Sequence, residues 1–417
     1  MTWQKFEHLL SSLQFDDTPA GGALVIYHQG QKVVDTAFGQ ALPDMAWTTR
    51  TLSVNFSIGK GVMATLIAVL VSRGILDYDT PISRVWREFA QNGKYAITLR
   101  DVLTHSSGLF NIASVTHELS DLLNWDIMSQ KVAGMAIDTP KSQEIHNYAS
   151  AYSALVSGWI LGNVVERATH MSLQQALDEY LAKPLGVVGE LYWGLPKDKL
   201  GTVAKPVRYF NGEPVPSRKK PVLKPDSPST LAFLNSLDIA PLWKAQLDDK
   251  PLSTASINQL YFDTKRLNLV NYKNALMPNG RDGISYHRDD VLQAVIPAAN
   301  GISTANALAR VYAMHAGGGV YQDTQLIDKA TLQDMSRIHV YGFDAVMPAN
   351  MRWRTGFHRL FSAQDVPSAY GHMGYNGSVA FADPQRQLAF AFIHNFDTTM
   401  LNDIRQFVLS ETAIACT

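Results

Sequence analysis

This chain has almost no cysteine and no excess of either charge, and it lacks the long apolar runs that cross a membrane. The single cysteine, Cys416, stands next to the last residue, so no disulfide can form within the chain and no thiolate cluster can hold a metal. A formal net charge of −1 with 18% charged residues excludes both a polyanion-binding basic surface and a charge-rich disordered chain. The longest apolar stretch, 62–71, contains Thr65 and falls well short of the ~20 residues a membrane helix needs. The N-terminal residues are amphipathic, with no basic start followed by an apolar core, which predicts a cytoplasmic protein. Catalytic signatures are missing too. No serine has glycine two residues before and two after, as an α/β-hydrolase elbow would, and the 12 histidines include no H-E-x-x-H. No glycine-rich phosphate loop follows a predicted strand.

What is present is ample material for a core: 417 residues, 46% of them hydrophobic. Trp3, Phe6, Leu9, Leu10 and Leu13 recur at helical spacing, which predicts an N-terminal helix packed on a sheet. Two β-rich runs, 22–28 and 31–39, flank Gln29-Gly30 and predict an antiparallel hairpin. Thr98 to Leu109 reads as a capped short helix ending in a loop. Helical patterns continue over 152–167 and 172–181, the latter stopped at Lys183-Pro184-Leu185-Gly186. Residues 196–228 are rich in proline and lysine and read as an irregular excursion with a solvated basic surface. A helix over 305–316, strands over 377–383 and 388–395, and a helix from about 401 complete the chain. Strands at both ends with helices between predict an α+β fold, in which an antiparallel sheet built from both chain ends is flanked by helices. The expected division is a sheet domain of residues 1–75 and 296–417, with a mostly helical domain of 76–295 inserted in it.

The chemistry is concentrated at Asn55-Phe56-Ser57-Ile58-Gly59-Lys60, which opens a buried helix ending near Arg73-Gly74. A serine hydroxyl becomes a useful nucleophile when a neighbouring base takes its proton, and a lysine one turn away shares its face. Alone, the S-x-x-K pattern is ambiguous. Ser57 could equally be a helix N-cap, and Ser217-Arg218-Lys219-Lys220 repeats the pattern in a polar loop.

Further segments occur in a telling order: 99–109 (LRDVLTHSSGL), 158–166 (GWILGNVVE), Pro184-Leu185-Gly186, Ala298-Ala299-Asn300-Gly301 and Gly371-His372-Met373-Gly374. With Ser57-Ile58-Gly59-Lys60 they resemble the serine β-lactamase and penicillin-binding protein superfamily, and within it the class C β-lactamase-related esterases, or family VIII carboxylesterases. The resemblance runs from about residue 20 to 395. It implies Ser57 as nucleophile, Lys60 as its proton partner and a tyrosine from the second motif that moves a proton to the leaving group. Tyr152 fits the spacing to Gly158-Trp159 better, with Tyr148 as runner-up. It also implies an oxyanion hole from the backbone N–H groups of Ser57 and Tyr375, with Gly374 allowing close approach of the backbone.

Two departures from the lactamase pattern bear on substrate. The asparagine two residues after the tyrosine is replaced by Ser150 or Ala154, and the lysine of the third motif by His372. An imidazole with an ordinary pKa of about 6.5 is mostly neutral at pH 7. The expectation is a serine hydrolase of short to medium acyl esters, with His372 lining the pocket, a small-molecule substrate, no cofactor, no metal, no nucleic-acid partner and no membrane. Alternatives on the same machinery are a β-lactamase, a D-alanyl carboxypeptidase or D-aminopeptidase, and an acyltransferase. From another class, a non-catalytic binding protein on this fold is disfavoured by the presence of both Ser57 and Lys60. His287-Arg288-Asp289-Asp290 reads as a solvated loop cluster rather than half of a triad.

Overall fold

The computed structural model describes residues 2–15, 18–140, 148–210, 227–278 and 284–417. Residues 211–226 of the proline-rich excursion, Ser217 among them, lie outside the described residues. At the centre is a six-stranded antiparallel sheet whose order is His358–Arg359, Tyr370–Met373, Val379–Asp383, Leu388–His394, Gly22–His28 and Gln31–Phe38. The first long strand therefore pairs with the last, Val25 facing Ala391, and the two chain ends make one sheet.

Both faces of this sheet are covered, so its inner strands are apolar throughout rather than alternating. Ala23, Val25, Ala380, Ala382, Ala389 and Ala391 point to one side, where their small side chains let the helix Ala305–Ala316 pack closely, while the helix Ile58–Ser72 lies against that helix and the strand Tyr370–Met373. Leu24, Ile26, Phe381, Phe390 and Phe392 point to the other, against the terminal helices Lys5–Ser12 and Arg405–Ile414. The expected N-terminal packing is present, with Phe6, Leu9, Leu10 and Leu13 buried. Each such large side chain contributes roughly 1.5–3 kcal/mol by leaving water.

A second sheet of four short strands escapes the sequence pattern. Leu191–Tyr192, Gly301–Ser303, Leu52–Phe56 and Val203–Ala204 lie side by side in that order. Strands of two to five residues are too short to show a period of two. This sheet delivers Phe56 to the start of the serine helix.

Several predicted boundaries move. The helix expected over 152–167 begins only at Val156 and runs to Thr169, leaving Tyr152 in the loop before it. The 172–181 pattern continues through a π-turn at Asp178–Ala182 and past Pro184, and stops at Gly186, whose φ of +64° suits glycine. The last strand pair starts at Val379, because Gly377 is in a turn with φ +96°, and the final helix starts at Arg405. The middle of the chain is not wholly helical, since two of the short strands fall in it. The helix Leu99–Leu103 has the expected cap, a reciprocal Thr98–Asp101 capping box. Among the described residues, no helix is long and apolar enough to cross a membrane.

Candidate active site

Ser57 stands at the N-terminal boundary of the helix Ile58–Ser72, but its side chain caps nothing. The preceding residue, Phe56, is held at φ +50°, a left-handed conformation that costs a non-glycine residue of order 1–3 kcal/mol. That bend turns Ser57 out of the short sheet and into a cavity of about 720 Å³. Thirteen of the fifteen helix residues behind it are buried, so the serine sits on a rigid support.

Lys60 Nζ lies 3.2 Å from Ser57 Oγ and donates to the carbonyls of Ala154 at 2.7 Å and Ala298 at 2.6 Å. The amine is 5% exposed and has no carboxylate beside it, so burial alone drives its pKa well below the usual lysine value. A neutral amine has two N–H groups and one lone pair. With both N–H groups on the two carbonyls, an unprotonated amine turns its lone pair to the Ser57 hydroxyl, whereas the ammonium donates its third N–H to Ser57 Oγ.

Tyr152 donates its phenolic hydrogen to Ser57 Oγ at 2.8 Å. Its pKa is raised, first by burial and also by the negative charge of Asp344, against the opposing hydrogen bond to Ser57. It is therefore a phenol, not a phenolate, at neutral pH. The Tyr148 hydroxyl is buried and meets no hydrogen-bond partner among the described residues. Of the two candidate tyrosines, Tyr152 is the one brought to the serine.

The Ser57 and Tyr375 backbone N–H groups donate no hydrogen bond among the described residues, while the Tyr375 carbonyl accepts from Met400 N at 2.8 Å. Gly374 explains how the Tyr375 segment comes so close. A Cβ there would sit 2.9 Å from Asn55 O and 3.5 Å from Phe56 Cβ. His372 is 2% exposed and lines the cavity in a cluster of rings, 4.8 Å from His358, 6.2 Å from Tyr152 and 6.3 Å from Trp353. Burial pushes its pKa well down, and the neighbouring His358 and Lys60 push the same way.

Nothing in the local sequence marks the side chains that hold this arrangement. Asp344, 2% exposed, accepts from Ser150 Oγ at 2.6 Å, Val346 N at 2.8 Å, Met347 N at 2.9 Å, Tyr152 N at 3.2 Å and Trp353 Nε1 at 3.2 Å. Trp353 then stacks on the Tyr152 ring at 5.6 Å and 15°. His105, at φ +56°, accepts from Ser153 N through Nδ1 at 3.2 Å and meets Tyr152 edge-on at 4.9 Å.

His287 is not in a solvated cluster as expected. It is 8% exposed, lines the cavity and meets Phe56 and Tyr209 edge-on or tilted, and burial lowers its pKa to about 3. Asp289 and Asp290 instead pair outward with Lys205 at 3.0 Å and Arg288 at 2.5 Å, so no triad forms.

Gly158 supports Lys60 from behind. A Cβ there would come within 2.4 Å of Ala298 N, so Gly158→Ala must displace the residue whose carbonyl holds the amine. This substitution is expected to cost about 1–3 kcal/mol of stability. It should also lower turnover at temperatures where the variant is still fully folded, as a thermal melt beside an ester assay would show.

A half-buried serine hydrogen-bonded to a buried amine and a phenol, on this α+β frame, defines a serine hydrolase. Residues 6–410 match the Beta-lactamase family, and the chain belongs to it. The chain is similar to Esterase/beta-lactamase LipL of Mycobacterium tuberculosis, 28% identical over 380 residues that span 90% of this chain and 77% of LipL. Among solved structures it is similar to a penicillin-binding protein homologue from Caulobacter crescentus, with a TM-score of 0.75 and 27% identity over 100% of this chain and 97% of that one. A family VIII carboxylesterase superposes with a TM-score of 0.72 and 26% identity, again over 100% and 97% of the two chains.

Proposed function

We propose that this chain is a carboxylesterase that is acylated on Ser57 by uncharged small-molecule esters and then releases the acid to water. The observation that carries this reading is the convergence on Ser57 Oγ of the Lys60 amine at 3.2 Å, whose pKa burial lowers, and the Tyr152 hydroxyl at 2.8 Å, whose pKa burial raises. In acylation Ser57 Oγ attacks the ester carbonyl as its proton passes to Lys60 Nζ, and the oxyanion is held by the Ser57 and Tyr375 N–H groups. The C–O bond to the alcohol then breaks as Tyr152 protonates the departing oxygen, and the Lys60 ammonium returns a proton to Tyr152. Water repeats the sequence at the acyl-enzyme, and Ser57 recovers its proton as the acid leaves.

Esters are favoured over β-lactams by three features. Ser150 and Ala154 stand where lactamases carry an asparagine, and Ser150 is committed to Asp344. A neutral His372 replaces the lysine that would meet a substrate carboxylate. The cavity wall is mostly aromatic and apolar, and among the described residues its only formally charged ones, Arg208 and Asp397, lie 3.4 Å apart and offset each other. The likeness to a family VIII carboxylesterase supports this reading, and the name Esterase/beta-lactamase LipL is compatible with both activities.

Two experiments test it. Exposure to a fluorophosphonate should leave a covalent adduct on the peptide holding Ser57, and an unmodified peptide would sink the enzyme reading. Turnover of p-nitrophenyl acetate, butyrate and octanoate should exceed that of nitrocefin, with butyrate above acetate because each added methylene buried in the cavity is worth up to ~0.8 kcal/mol. A clear preference for nitrocefin would overturn the ester assignment.

The pH profile has a defined sign. Because Lys60 must be unprotonated and its pKa is depressed, kcat/KM should rise with pH through a limb well below the ordinary lysine range. Because Tyr152 must keep its proton and its pKa is raised, activity should persist to alkaline pH. A profile that rises only near pH 10 would instead assign the base to a tyrosine phenolate.

A further inference from the structure

Apart from the Ser57 and Tyr375 backbone N–H groups, several hydrogen-bond donors around Tyr152 are already committed. The Tyr152 hydroxyl donates to Ser57, the Lys60 N–H groups to two carbonyls, Met373 N to His358 Nε2 at 3.0 Å, and Trp353 Nε1 to Ser150 and Asp344. His358 donates through Nδ1 to the Arg359 carbonyl at 2.6 Å. Against this background His372 stands out. Its Nδ1 lies 3.2 Å from the Met373 carbonyl, which can only accept, so that nitrogen carries the hydrogen. Nε2 is then a bare acceptor, and it is buried with no partner among the described residues. The ring cannot readily turn away, packed as it is against His358, Tyr152 and Trp353. Nor can it readily resolve the deficit by binding a proton, since burial opposes a charge there.

A buried acceptor without a donor is costly, and the cost is relieved when a ligand brings one. His372 lines the cavity beside Tyr152, the group that protonates the departing oxygen, so the part of the substrate next to it is the alcohol. We infer that His372 is a specificity-determining acceptor for the alcohol part of the substrate, and that the preferred substrates are esters whose alcohol keeps a free hydroxyl, such as half-esters of diols. This rests on the carboxylesterase reading above and sharpens it. A site built to pair with a hydroxyl discriminates against analogues that lack it, because its own polar atom is then left unpaired.

The test compares 2-hydroxyethyl butyrate with propyl butyrate, which replaces the hydroxyl by a methyl group, and with 2-methoxyethyl butyrate, which keeps the oxygen but removes its hydrogen. Wild-type kcat/KM should favour the hydroxy ester over both by about 10- to 100-fold, the range expected from pairing one buried acceptor. In His372→Phe that ratio should fall towards one, whatever the absolute rates. A wild-type ratio within about twofold of one overturns the inference without need of the variant. So does a ratio that survives in His372→Phe. Turnover of propyl butyrate leaves the carboxylesterase reading standing in either case. Failure to cleave any of the three esters, with nitrocefin hydrolysed, overturns both.

Discussion

Lys60→Met is expected to reduce acylation by about 10⁴-fold or more, the scale on which removal of a base acting in concert with its nucleophile is felt. Burst kinetics with p-nitrophenyl butyrate read this directly. Methionine keeps the unbranched stem but offers neither lone pair nor N–H. The Ser57 proton loses its acceptor, and the carbonyls of Ala154 and Ala298 lose the donor they share. Two buried carbonyls left unpaired should also cost about 1–3 kcal/mol each, seen as a lower Tm. The two effects separate at low temperature, where a folded variant with normal near-ultraviolet circular dichroism should remain inactive. Retention of more than a tenth of the acylation rate would remove Lys60 as the base.

Tyr152→Phe carries the second large effect, and its size should depend on the leaving group. An alkoxide is a poor leaving group unless it is protonated, whereas p-nitrophenolate departs unaided. The variant should therefore lose about 10²–10⁴-fold in kcat/KM with propyl butyrate and distinctly less with p-nitrophenyl butyrate. Tyr148→Phe should change neither by more than about twofold, since its buried hydroxyl has no hydrogen-bond partner among the described residues and removing it breaks no such bond. Equal losses with both esters in Tyr152→Phe would mean the phenol positions Ser57 rather than protonating the alcohol. A dead Tyr148→Phe beside an active Tyr152→Phe would reverse the choice of tyrosine.

The serine helix could be read from residues 57–74 because it is a single unbroken apolar segment with a glycine at its end, and the central strand pair of the terminal sheet because Gly22–His28 and Leu388–His394 are each seven largely apolar residues. The four-stranded sheet was illegible, its strands being held by neighbours far along the chain. The choice between Tyr148 and Tyr152 depended on spacing, because both lie outside the helix and their placement is decided by Asp344, almost two hundred residues away. His105 and Trp353 carry no local signal for the same reason, and the buried state of His287 contradicts the polar residues printed beside it. His372 was legible as a departure from a motif. Which of its nitrogens bears the hydrogen was not, because that depends on the direction of the Met373 carbonyl.

The pairing of the first long strand with the last bears on how the protein is made. Ser57 leaves the ribosome early, but Tyr375 and the strand that carries His372 follow more than three hundred residues later, roughly 15–60 s at ordinary rates of synthesis. Until then the alanine-faced strand Gly22–His28 has no partner at Leu388–His394, and the apolar serine helix has no sheet to cover it. A nascent chain is thus unable to cleave esters in the cell before synthesis is nearly finished, and over that interval its N-terminal quarter is the segment most in need of a chaperone.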